Sequence, residues 1–190
     1  MVYKLITAPT ELAITLAEAK AQLNVETAFT DDDTLITACI KAAALYVEKV
    51  IQGPVMSQVW ELQLTDFLST IELNKGLIST IDSLKYYDSA EADQTVAASN
   101  YQTDLSNVPA RLILKSTYVQ PTVYDRFDAV RVRFTAGYAT ASNVPEDVKQ
   151  VIKLLVTHFY EYRSPEITGG AISKFDLTIE KLLSGHTAWL

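Results

Sequence analysis

Two histidines, His158 and His186, one cysteine, Cys39, and the run Asp31-Asp32-Asp33 are the residues of this 190-residue chain best suited to chemistry. A catalytic histidine needs a nucleophile or a paired acid, and no motif supplies one here. His158 follows Leu154 and Leu155 by one helical turn and is expected to be structural or partly exposed, while His186, near the end of the chain, suits a surface or interface role. Cys39 falls on the apolar side of a predicted helix and is expected to be a buried small hydrophobe rather than a reactive thiol. A single cysteine cannot form an intrachain disulfide, and with two histidines it makes a poor zinc site. A hard cation would want several oxygens in a shaped loop with a glycine and a later bidentate glutamate. Asp31–Asp33 lack that frame and are better placed to cap a helix. There is no glycine-rich phosphate loop and no GxSxG elbow. No catalytic residue, metal or cofactor is therefore expected. A small soluble enzyme or ligand-binding domain with an unrecognised pocket is the alternative from a different class.

The elements that would position these residues follow from periodicity. Residues 1–14 look extended. Thr15 and Glu18 have capping-box spacing, and Leu16, Ala19 and Leu23 form an apolar stripe, which predicts a short helix ending near Asn24. A second helix is expected from about Asp33 to Gln52, stopped by Gly53-Pro54. It carries two adjacent apolar stripes, Ile36, Ile40, Ala43, Val47 and Val50 beside Leu35, Cys39, Ala42 and Tyr46. Only Thr37, Lys41, Glu48 and Gln52 form a polar line, so burial on two sides is expected, by its own domain and by a neighbouring subunit. Alternation predicts strands at Val59–Thr65, Ile71–Leu73, Ile81–Tyr87, Arg111–Lys115 and Val130–Thr135, with Asp88–Asn100 a hairpin tip or loop. A third helix opens at Pro145, with Glu146 and Asp147 in its first turn, and ends at Ser164-Pro165. Val148, Ile152, Leu155, Phe159 and Tyr162 are its expected core face. The fold class is thus α+β: three main helices, a mostly antiparallel β segment inserted between the second and third, and a C-terminal arm. The expected organisation is one domain over 1–163, with a helical core at about 15–53 and 145–163 and a β insertion at about 55–140, followed by the arm at 164–190.

The net charge of −7 argues against gripping phosphate backbones from outside, while leaving open a surface past which DNA must slide without sticking. Glu26 with Asp31, Asp32 and Asp33 forms one acidic cluster, and Asp88, Glu91 and Asp93 another. No predicted helix reads as a membrane span, and the N-terminus lacks the features of a signal peptide. The chain is expected to stay in the cytoplasm where it is made until it is assembled.

Several stretches, taken in order, resemble the head–tail connector, or adaptor, proteins of long-tailed phages and prophages. They are TLAEAKAQLNV (Thr15 to Val25), DDDTLITACIKAAALYVE (Asp31 to Glu48), QVWELQL (Gln58 to Leu64) and IDSLKYYD (Ile81 to Asp88). Tyr101 with Asp104, Pro109 with Arg111, AVRVRFTAGY (Ala129 to Tyr138) and VPEDVKQVIKLLVTHFYEYR (Val144 to Arg163) continue the series. The resemblance implies a virion protein without turnover: a homo-oligomeric ring, commonly a dodecamer, bound beneath the portal. Such a ring extends the DNA channel and offers a platform to the next neck, stopper or tail-completion protein. Genome DNA would pass through without specific binding. A tail-completion or neck protein binding the tail side is the nearest alternative. The C-terminus departs from the family pattern: Leu182-Leu183 fits, but Trp189-Leu190 closes the chain without an arginine.

Three sets of residues carry this expectation. Ala42, Ala43 and Tyr46 would form the ring interface. Glu26, Asp31, Asp32, Asp33, Asp88, Glu91 and Asp93 would face the channel or its rim. In the arm, Gly169-Gly170 would act as a joint and Phe175, Leu177 and Ile179 alternate as a strand laid on a partner would require. With Leu182, Leu183, Trp189 and Leu190 they would dock on the portal.

Overall fold

A computed structural model describes residues 1–162 and 172–186, the side chains of 172–177 excepted. Its elements, in chain order, are β1 (Val2–Thr7), α1 (Leu16–Gln22), α2 (Asp33–Ile51), β2 (Gln58–Leu64), β3 (Thr70–Leu73), β4 (Ile78–Tyr87), β5 (Asp93–Val96), β6 (Tyr101–Asp104), β7 (Ala110–Leu114), β8 (Val130–Ala136), α3 (Glu146–Glu161) and α4 (Ile172–Leu183). The fold is α+β. The chain divides into two compact units, one of residues 1–9 and 57–137, the other of residues 10–56 and 138–190.

The first unit is all β. Its five-stranded sheet runs β1-β2-β8-β4-β5 and its three-stranded sheet β3-β7-β6, every neighbouring pair antiparallel. Strict alternation makes this arrangement: Leu62, Leu64, Val130, Val132 and Phe134 are buried, and the residues between them point to the other face. They share one core with Ile71, Leu73, Leu112 and Leu114 of the smaller sheet. Gly137 ends β8 at φ 98, a conformation glycine adopts without a Cβ penalty. Residues 88–100 hold more order than a loop: the hairpin turn at 88–92 leads into β5, whose only buried residue is Val96. The extended N-terminus is strand β1, paired to β2, so it belongs with the β unit rather than with the helices.

The second unit is helical. Thr15 and Glu18 form the reciprocal capping box their spacing predicts, with Thr15 N–H donating to Glu18 Oε2 at 2.7 Å and Glu18 N–H to Thr15 Oγ1 at 3.1 Å. At the end of α2, Gln52 takes the left-handed conformation at φ 56, and the N–H groups of Gln52 and Gly53 both donate to Glu48 O. Glu48 then leaves the polar line expected of it, because its Oε1 accepts the Val55 N–H at 2.9 Å. Ile36, Ile40, Val47, Val148, Ile152 and Leu155 are among the fully enclosed core residues. Tyr162 is a correction to the expected core face of α3: it lies at the helix end and is 55% exposed.

The strand expected at Phe175–Ile179 is a second correction, since these residues lie in helix α4. Residues 175, 179, 182 and 183 are all apolar and recur at i, i+4, i+7 and i+8, the helical period. The alternation at 175, 177 and 179 is a shorter coincidence within that pattern. Ile179 and Leu183 are buried in the helical core, and Leu182 packs against it.

Candidate assembly interface

Helix α2 has one face in the core and one in water. Ile36, Cys39, Ile40, Ala43 and Val47 are buried. Thr34, Ala38, Lys41, Ala42, Leu45, Tyr46 and Lys49 are exposed along the opposite side. Leu45 is 57% and Tyr46 38% exposed, so a strip of alanines flanked by two large apolar groups faces outward between two lysines. Of the three residues expected at a ring interface, Ala42 and Tyr46 lie on this strip. Ala43 does not: it is fully buried, because its position follows the Ile36–Ile40–Val47 stripe into the core. Leu45 belongs to neither stripe in the sequence; its place one turn after Ala42 was the available signal.

The acidic run before α2 is not a helix cap. Asp32 occupies the cap position, but its side chain makes no capping bond. Its carboxylate instead accepts the hydroxyl of Tyr160, and Asp33 Oδ1 lies 2.5 Å from Lys20 Nζ. Lys20 is buried, and its ammonium also donates to the carbonyls of Phe29 at 2.7 Å and Thr27 at 3.2 Å. Asp33 Oδ1 is buried without a well-angled hydrogen bond, so the charge of Lys20 is what satisfies it. These contacts tie the loop between α1 and α2 to α1 and α3. Of this cluster, Glu26 and Asp31 are exposed and enter none of the described ion pairs.

The second acidic cluster is largely neutralised within the β unit. Asp88 organises the hairpin, accepting the Ala90 and Ala92 amides and the Gln94 side chain. These bonds hold its carboxyl below the usual range, the Gln94 contact most strongly. Glu91 pairs with Arg126 at 3.2 Å, and Asp93 with Arg131 at 2.6 Å and Lys85 at 3.4 Å. Arg126 and Arg131 both lie over the Tyr87 ring, at 3.9 and 4.2 Å.

The residues singled out for chemistry take structural places. His158 is half-buried among Phe159 and Tyr162, and Cys39 is buried. Among the described residues no group of three or more His, Cys, Asp or Glu is placed to hold a metal ion. His186 fastens the turn after α4 to the first turn of α3, with Nε2 2.6 Å from Asp147 Oδ2. Burial pushes the Asp147 carboxyl up, but the hydrogen bonds from His186 and the Val148 amide together bring it below its ordinary value. A carboxyl lowered in the folded state stabilises the fold above its unfolded pKa and loses that contribution as pH falls through its folded value. Asp147→Asn should therefore flatten the decline of stability on the acid side of about pH 4, measured as melting temperature against pH for both proteins. An unchanged profile would mean that the contact carries no linkage. Of the residues assigned to the portal-docking arm, Ile179, Leu182 and Leu183 take part in the subunit's own core. The side chains of Phe175 and Leu177, and Trp189 and Leu190 entirely, lie outside the described residues.

The described residues thus offer a helical core with a bare apolar strip on α2, and a β unit whose second acidic cluster is paired locally. The model of the phage gp6-like head-tail connector protein family matches residues 13–183, and the chain belongs to that family. It is a structural phage head-tail connector protein and not an enzyme. Solved structures share the fold. A chain in "Neck of native GTA particle computed with C12 symmetry" is 20% identical with a TM-score of 0.78, covering 100% of this chain and 97% of that one. A chain in "Neck of empty GTA particle computed with C6 symmetry" is 24% identical with a TM-score of 0.77, covering 96% and 95%. A third, from "Virion of native gene transfer agent (GTA) particle", is 23% identical with a TM-score of 0.75 over the same shares. No curated protein matches the sequence.

Proposed function

We propose that the chain closes a homo-oligomeric ring beneath the portal, extends the DNA channel, and offers its far side to the next neck or tail-completion protein. The exposed strip of α2 carries this reading. A helix with a fully formed core face and a second, uncovered apolar side is suited to bury that side against a neighbour. The strip is rich in small residues, which lets another element approach closely. The GTA structures that share the fold are described as symmetric necks, which agrees with a ring. Genome DNA passes through without specific binding, in keeping with a net charge of −7. Within the two acidic clusters, Glu26 and Asp31 are the residues free to present charge to the bore, since the others are engaged locally.

Ala42 and Ala43 are adjacent, so substituting each separates folding from assembly. Ala43→Asp places an unpaired charge in the core, and the subunit should fail to fold. Ala42→Asp should leave the circular dichroism spectrum and melting temperature nearly unchanged while abolishing ring formation on the portal, seen by electron microscopy. A folded Ala42→Asp subunit that still forms rings would sink the α2 interface.

A further inference from the structure

The five-stranded sheet ends in two open edges, β1 on one side and β5 on the other. Among the described residues, no backbone hydrogen bond outside the sheet covers either edge. Natural sheets usually blunt such edges with prolines, charges or a covering element, because bare N–H and C=O groups recruit further strands. β1 carries little of this protection. Val2, Leu5 and Ile6 are all exposed, and Lys4 is the strand's only charge.

The two edges complement each other. The cross-strand register places Lys4 against Glu61 and Glu61 against Arg133, while Arg131 faces Lys85 and Lys85 faces Thr95. Val2, Lys4, Asp93 and Thr95 therefore share one face of the sheet. On that face Lys4 is exposed and enters none of the described ion pairs, whereas the Asp93 side chain at the opposite edge, although already paired with Arg131 and Lys85, keeps 42% of its surface open to a further cation. Since every neighbouring pair is antiparallel, β1, β8 and β5 run in the same direction. A head-to-tail step in a many-membered ring turns each copy only slightly, so β1 of one copy would meet β5 of the next in parallel.

We propose that the occupant of the β1 edge is a second copy of this chain: β1 adds to β5 of its neighbour and brings Lys4 beside that neighbour's Asp93. Main-chain hydrogen bonds supply the attachment, and the Lys4–Asp93 contact favours this edge order. This rests on the ring reading above and deepens it, because a heterologous interface needs two different surfaces of one subunit.

The test places Lys4→Cys and Thr95→Cys together in a Cys39→Ala background, with the portal protein of the same phage present. Within one chain these positions lie four strand spacings apart, about 19 Å, so a thiol-to-thiol reagent shorter than that can join only different copies. A ladder of covalent oligomers on a denaturing gel is expected from the double variant, and none from either single variant. Rings seen by electron microscopy without the ladder would overturn the edge pairing and leave the ring reading standing. A Cys39→Ala parent that makes no ring would overturn both. Hydrogen exchange on the unsubstituted protein gives a measurement independent of the cysteines. Amides of β1 and β5 should gain protection on passing from subunit to ring, and unchanged exchange in assembled rings would overturn the pairing.

Discussion

Deleting residues 171–190 is expected to lower the melting temperature by on the order of 10 °C, rather than leave a stable subunit that has merely lost a docking arm. The deletion removes Ile179 and Leu183, both fully enclosed in the helical core, and the His186–Asp147 contact. Truncating one buried leucine or isoleucine to alanine costs about 2–5 kcal/mol. For a chain of this length each kcal/mol corresponds to roughly 2–4 °C. Leu183→Ala alone should give a shift of similar sign and smaller size, measured by differential scanning calorimetry. A truncated subunit that melts with the full-length protein yet fails to bind portal would show the segment to be an anchor alone. A destabilised one would show that α4 completes the core, leaving any portal contact to its outer side or to the residues beyond it.

The second large effect is expected at Lys20. Replacing it with Met keeps most of the aliphatic stem but leaves Asp33 and the carbonyls of Thr27 and Phe29 without the ammonium. Removing one partner of a buried ion pair commonly costs 3–5 kcal/mol. Because the Asp33 side chain is 31% exposed and can recover water, a loss of about 2–3 kcal/mol is expected. Lys20→Met with Asp33→Leu should restore part of it, since both charges then leave together. Urea unfolding of the two single variants and the double variant measures the coupling; additive losses would show that Lys20 acts only through its stem and the carbonyls. The loop that bears Glu26 and Asp31 should also exchange its amides faster in Lys20→Met, which links this ion pair to the surface proposed for the bore.

Much of the scaffold was legible because its signals are local. The Thr15–Glu18 box, the stop after α2 and the alternation in β2 and β8 each rest on residues within one or two turns of one another. The two stripes of α2 announced a wide apolar surface, but the exposed strip shares only Ala42 and Tyr46 with the second of them: Cys39 is buried, Leu35 packs against the core, and Leu45 lay in neither stripe. β5 was not legible, because three of its four residues are exposed and polar and no apolar pattern marks them. β1 offered no clear period, because it is an edge strand whose side chains are mostly exposed.

What the sequence alone determined was the class of fold, the order of the first three helices and of β2, β3, β4, β7 and β8, and the absence of a catalytic motif. These depend on residue types and on spacing along one element. Its ordered stretches also carried the resemblance to head–tail connectors. The tertiary structure decided where the charges go. Asp32 and Asp33 read as caps because carboxylates favour helix starts, but Tyr160 and Lys20, distant or on another element, reach them first. It also decided that Ala43 is core while Ala42 is surface, a 100° step around the helix that becomes a difference in burial only once a partner covers one side. The same holds for α4: the apolar residues at 179, 182 and 183 announced a segment that must bury something, and only packing against α3 and the helical core could show that its own subunit was there to receive it.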